Sequence, residues 1–245
     1  MKYLSILIIN LSFSIYSLTW SQSGQKFVEI GDFSLINGEK IINCRIGYRT
    51  FGKLNEDKSN VIIYPSWFDG TSEAIGNLIT KHNFIGTNKY FIIAIDALGN
   101  GSSTSPSNYD TDFPQITIRD MVNTQCKLLD ESLGIKHLYG VVGGSMGGIQ
   151  ALEWAVAYPD FIDKIISYSV TPKMTSYDLL WMNTQLKIFE SLKRKGANER
   201  EIRKIINMMI AMVARTTSYV TENTKVENFP KYLSLFDKVP PKVFM

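Results

Sequence analysis

The sequence predicts an α/β fold: a mostly parallel, doubly wound sheet, entered through an antiparallel hairpin and followed by a helical lid. Three observations predict it. Short apolar runs suited to buried strands, at 60–64, 90–95 and 137–143, alternate with runs of helical periodicity. The corner Gly143-Gly144-Ser145-Met146-Gly147 turns the third of these strands into a helix within a few residues. Finally, 245 residues with 44% hydrophobic side chains are enough to close a sizeable core.

Taken in order, the chain opens with Met1-Lys2, a largely apolar stretch over 3–20, and then Ser21-Gln22-Ser23-Gly24-Gln25. One positive charge, an apolar centre and small polar residues predict a secretory signal peptide over 1–21, with cleavage near Thr19-Trp20-Ser21, and therefore an exported, periplasmic or secreted, protein. Asn10 and four serines make the stretch a poor permanent span. The core follows over 26–170. Residues 26–35 and 40–51 are rich in β-branched and aromatic side chains, and Asn37-Gly38 between them predicts a hairpin. The strand at 60–64 ends at Pro65 and leads through the loop 66–71 into a helix over 72–82. The strand at 90–95 leads through the Gly/Ser/Pro-rich loop 96–114 into an amphipathic helix over 117–133, stopped by Gly134, with Asp120 and Asp130 outside its apolar stripe. A helix over 146–157, halted at Pro159, precedes a last strand over 161–170. From 171 to 245 the pattern is helical, with no strand returning, and the charged run 193–201 suits a solvated connection between two helices.

Composition excludes several classes. A net charge of +3 with dispersed lysines offers no basic stripe for nucleic acid. No stretch after the first approaches about 18 consecutive apolar residues, so nothing else is expected to span a membrane. Cys44 and Cys126 read as two buried thiols, one on a strand and one on a helix, and with only His82 and His137 present neither metal nor cofactor is expected. A small-molecule substrate remains, and a homodimer is compatible with it.

The corner carries the chemistry. G-x-S-x-G between strand and helix is a nucleophile elbow: the serine sits on a strained turn that lifts its hydroxyl clear of the sheet, and its neighbours are small because strand and helix approach closely. An ordinary Gly-rich turn with a buried serine is the competing reading. Ligands of such sheets bind beyond the strand C-termini, where Ser145 and the loops 66–71 and 96–114 all emerge. Asp69, Asp96, Trp67 and Trp181 could therefore touch substrate, although loop aspartates commonly cap turns and aromatic side chains commonly pack.

The stretch from Thr117-Ile118-Arg119-Asp120-Met121-Val122 to Gly143-Gly144-Ser145-Met146-Gly147-Gly148-Ile149-Gln150-Ala151-Leu152-Glu153-Trp154-Ala155 resembles the homoserine O-acetyltransferases of the α/β-hydrolase superfamily. The resemblance implies an α/β-hydrolase fold in which Ser145 takes an acyl group from acyl-CoA and passes it to a hydroxyl acceptor, activated by a histidine that an aspartate holds. It implies oxyanion-hole N–H groups from Met146 and from Phe68, with Trp67 as the alternative to Phe68. It also implies a lid arginine for the acceptor's carboxylate, for which Arg215 is the nearest candidate. The family's H-A-L-T-G loop is Ser66-Trp67-Phe68-Asp69-Gly70 here, so its histidine is replaced.

Chain order in this superfamily runs Ser, Asp or Glu, then His, yet no histidine follows Ser145. His137 begins the strand that ends at the elbow, roughly 20 Å away at about 3.3 Å per residue, and His82 ends a helix pointing the same way. Neither is expected to act as the base. The sequence closes on Val239-Pro240-Pro241-Lys242-Val243-Phe244-Met245 at the end of the lid. A shortened chain lacking the last strands is therefore the expectation, with a non-catalytic binding relative as the alternative. An exported ester hydrolase is the remaining alternative, because acetyl-CoA is a cytoplasmic metabolite.

Overall fold

The computed structural model describes residues 24–237; the expected signal peptide at 1–21 and the closing stretch 239–245 lie outside the described residues. Strands β1 (Lys26–Ser34), β2 (Lys40–Phe51), β3 (Val61–Pro65), β4 (Phe91–Ile95), β5 (Gly140–Gly144) and β6 (Ile165–Tyr168) form one sheet in the order β1-β2-β4-β3-β5-β6. β1 and β2 pair antiparallel around the Asn37-Gly38 turn, and β2 runs antiparallel to β4. β4, β3, β5 and β6 are parallel.

Alternation along the central strands divides the core into two layers. Ile62, Tyr64, Ile92, Ala94 and Val142 face helix α1 (Ser72–His82) through Ile75 and Ile79. Val61, Ile63, Ile93, Ile95 and Val141 face α2 (Ile118–Lys127) and α3 (Met146–Ala157), where Val122, Ala151 and Trp154 are fully buried. Each isoleucine or valine among them contributes on the order of 1.5–3 kcal/mol by leaving water. Helices on both faces of the parallel part of the sheet, as the sequence predicts, bring the C-termini of β3, β4, β5 and β6 to one edge.

Two boundaries and the burial of one side chain differ from expectation. The helix over 117–133 is α-helical only to Lys127; a wider π turn, Leu128–Ser132, then closes with Leu133 N–H on the Leu128 carbonyl at 3.1 Å, and the neighbours Leu128 and Leu129 both lie fully buried. Asp120 lies inside rather than outside. Its carboxylate accepts from Thr117 N–H (2.8 Å), the Thr117 hydroxyl (2.6 Å) and Ile36 N–H (2.9 Å), which caps α2 and ties it to the hairpin. The strand expected over 161–170 shrinks to Ile165–Tyr168, because a 3-10 turn at Pro159–Phe161 precedes it and Ser169 takes a positive φ of 52°.

Beyond the sheet stand α4 (Ser176–Arg194), α5 (Glu199–Ala214), α6 (Thr217–Asn223) and α7 (Phe229–Ser234). Among these helices only Ile202 is buried. No helix among the described residues is long and apolar enough to cross a membrane.

Candidate active site

Ser145 stands between β5 and α3 with φ 53° and ψ −128°, a conformation that L-residues rarely adopt. A side chain at Gly143 would run into the backbone of Gly147, and one at Gly147 into the carbonyl of Pro65. Two glycines flanking the serine are therefore what allow the helix to start this close to β3 and β5. The turn is locked by hydrogen bonds: Ser145 N–H donates to the Tyr168 carbonyl (3.1 Å), while its own carbonyl accepts from Gly148 (2.8 Å) and Ile149 (3.0 Å). Its side chain caps nothing and is exposed. Met146 is the first residue of α3, so its N–H has no acceptor within the helix and lies at the positive end of the helix dipole.

The loop after β3 reaches the same edge. Ser66 is fully buried; its N–H donates to the Ile95 carbonyl (2.9 Å), and its hydroxyl accepts from Ala97 N–H (3.0 Å). Gly70 N–H closes a turn onto the Trp67 carbonyl at 3.0 Å, and the Trp67 ring covers Gly70. Phe68 is 60% exposed and forms one wall of a cavity of about 560 Å³, whose other walls come from α4 and α5 through Met182, Leu186, Phe189, Ile202 and Ile206. Ser145 is not among its walls.

Asp96 is buried and structural rather than open to a ligand. Its carboxylate accepts from Ser72 N–H (2.7 Å), the Ser72 hydroxyl (2.8 Å), Gln25 (2.8 Å) and Asn100 (3.2 Å), and Asn100 in turn donates to the Gly70 carbonyl at 3.1 Å. Asp69 is exposed, and Trp181 is half-buried outside the cavity wall. Behind Gly144 the Tyr64 and Tyr168 hydroxyls meet; burial first, and then Tyr168, push the Tyr64 hydroxyl far above its ordinary value, so it stays neutral.

The remaining sequence candidates lie elsewhere. His137 precedes β5, at the end of that strand opposite Ser145, and pairs with Asp163 at 3.0 Å; His82 ends α1. Arg215 follows the last turn of α5, exposed, with its guanidinium 5.0 Å from the Tyr219 ring centroid. Cys44 and Cys126 are free thiols. Among the described residues no cluster of His, Cys, Asp and Glu could hold a metal ion. The residues to which the sequence assigns no role are Gln125 and Gln150, buried beneath the turn at 1% and 0% exposure. The available signal was a glutamine at the same helical face as Ala151 and Trp154.

Comparison with known proteins follows the same lines. The sequence profile of the alpha/beta hydrolase fold matches residues 61–236. An ethyl acetate hydrolase of Pseudomonas veronii is 38% identical over 162 residues, covering 64% of this chain and 46% of that enzyme. A homoserine O-acetyltransferase of Methanosalsum zhilinae is 40% identical over 161 residues, covering 57% of this chain and 32% of that enzyme. The chain thus spans half or less of the length of these relatives. A solved acetylester hydrolase of Corynebacterium glutamicum superposes with a TM-score of 0.75 at 30% identity, over 89% of this chain and 69% of that one.

Proposed function

The chain belongs to the alpha/beta hydrolase fold family, and on that footing we propose that Ser145 is the nucleophile of an acyl transfer from an ester or thioester to a hydroxyl acceptor. The observation that carries this is the exposed hydroxyl on a strained, glycine-cleared turn at the sheet's C-terminal edge. In the proposed step the Ser145 oxygen adds to the acyl carbonyl, whose electrons move onto oxygen and are held by the N–H groups of Met146 and Phe68. Collapse expels the alcohol or thiol and leaves an acyl-serine; the acceptor hydroxyl then repeats the addition and releases the serine. A base must take the Ser145 proton and return it to the leaving group, and neither His82 nor His137 stands where it could. On this reading Ser145 is the nucleophile and Met146 and Phe68 are the oxyanion donors, and with these alone the expected rate is the residual about 10³–10⁴-fold over water.

The acceptor separates two readings. The resemblance to homoserine O-acetyltransferases favours a substrate alcohol, with acyl-CoA as donor. The signal-like residues 1–21 and the similarity to ester hydrolases favour water. Incubation with a fluorophosphonate should label the protein at Ser145 and leave Ser145→Ala unlabelled. No labelling of folded protein would leave a ligand-binding role instead. Acetyl-CoA with homoserine, run against simple acetyl esters, then identifies the acceptor class.

A further inference from the structure

We infer that Gln150 is a positioning residue for the oxyanion hole: its buried side-chain amide clamps together the two segments that carry the donor N–H groups. The orientation of this amide follows from an indole. Trp154 Nε1 can only donate, and it does so to Gln125 Oε1 at 2.8 Å; Gln125 must therefore present its NH₂ to Gln150 Oε1, at 2.6 Å. Gln150 is left with its NH₂ free to donate twice, and its Nε2 lies 3.0 Å from the Ser66 carbonyl and 3.2 Å from the Met146 carbonyl. Met146 carries one proposed donor. The Ser66 carbonyl belongs to the same rigid peptide plane as Trp67 N–H, one residue before the other proposed donor, Phe68.

The glutamine thus fixes the loop after β3 against the first turn of α3 through one nitrogen. Trp154, Gln125, Gln150 and Ser66 are all at most 1% exposed, so water cannot replace any link of the chain. The buried indole N–H of Trp154 needs one acceptor, and Gln125 supplies it; that need accounts for Gln125 and not for the two carbonyls at the far end of the chain. The network ends at two backbone carbonyls of the site, which a role confined to core packing would not require.

The inference rests on the proposed nucleophile reading, and two measurements keep the two apart. The first is the order of the Trp67 and Phe68 backbone amides by ¹⁵N relaxation. In the wild type it should be near about 0.85, and in Gln150→Met it should fall below about 0.6. Ile135→Ala, which loosens the core at the sheet end where β5 begins, should leave it unchanged. The second is the fluorophosphonate labelling rate of Ser145 in folded protein, expected to drop on the order of 10²-fold in Gln150→Met and not in Ile135→Ala. Gln150→Glu should recover part of its labelling, relative to wild type, as pH falls and its carboxyl regains a proton to donate. If Gln150→Met does not fold, Trp154→Phe, which frees the Gln125 amide to flip, should show the same changes in weaker form. Wild-type amide order or wild-type labelling in these glutamine variants would overturn the inference. Absence of labelling in the wild type would instead sink the nucleophile reading, and the amide order alone would then decide the clamp.

Discussion

Ser145 holds its backbone at φ 53° because the hydrogen bonds on both sides of it leave no alternative, and such a residue costs on the order of 1–3 kcal/mol. Glycine would relieve that strain while alanine would keep it. Ser145→Gly is therefore expected to be more stable than Ser145→Ala by about 1 kcal/mol in urea unfolding, both being inert to a serine probe. The neighbouring glycine behaves in the opposite sense: Gly147→Ala drives a methyl into the Pro65 carbonyl and is expected to destabilise by about 3 kcal/mol or to prevent folding. A third residue reports on the core. Burial pushes the Cys44 thiol up to about 12, with Thr104 pulling it slightly back. The thiol is neutral while protonated, so the folded chain retains a proton that the unfolded chain releases near pH 8.5. Stability from this group is complete below that pH and falls between about pH 8.5 and 12, by up to about 1.4 kcal/mol per unit. Burial raises Cys126 and Tyr158 as well, so the alkaline loss is cumulative. Cys44→Ala should lower the slope of unfolding free energy against pH by about one proton.

The elements differ in how firmly they are held, and α4 shows this most clearly. Its N-terminus is closed by a capping box. The Thr175 hydroxyl accepts from Asp178 N–H (3.2 Å), while the Asp178 carboxylate accepts from Thr175 N–H and hydroxyl, both at 2.8 Å. Those two bonds hold Asp178 below the usual carboxylate range, so the cap is complete above about pH 4 and weakens as pH falls further. Thr175→Ala should loosen the helix by about 1 kcal/mol. Because α4 to α7 bury only Ile202, the loss should appear as local opening: proteolysis within 176–194 should speed about 5-fold with the global unfolding midpoint nearly unchanged. The same contrast explains what the sequence could disclose. Strands β3 to β5 were legible because strands covered on both faces read as continuous apolar runs, and helices α1 to α3 because helical periodicity records which face is buried. The π turn at Leu128–Ser132 was not, since adjacent leucines fit either helix type. Asp120 was read as outward because its type is usually solvated, whereas three donors hold it inside. Ser145 was legible through the glycines its turn requires. The role of Gln125 and Gln150 was not, because the partners that make a buried amide tolerable come from the loop after β3, from α2 and from α3, and meet only in three dimensions.

At the scale of the described residues as a whole, the sheet has two edge strands of different character, β1 and β6. β1 is largely polar where it meets solvent, but β6 shows Ile166 at 57% exposure, and α3 beside it exposes Val156 at 71%. An edge strand offers unpaired N–H and C=O groups as a template for another chain, and an apolar side chain on it adds the hydrophobic contribution. Residues 1–245 on their own are therefore expected to self-associate through β6 as their concentration rises. Lysine is the usual guard on such an edge, and at a position this exposed Ile166→Lys should change stability by no more than about 0.5 kcal/mol. Sedimentation velocity over a range of concentrations should show the wild-type distribution moving to larger species and Ile166→Lys staying close to the monomer. Identical behaviour of the two would exclude β6 as the contact. The outcome bears on the site as well as on solubility: the Tyr168 carbonyl that holds Ser145 N–H belongs to this strand, so association that twists β6 would move the serine with it. A reactivity of Ser145 that falls with protein concentration in the wild type, and not in Ile166→Lys, is the expected signature.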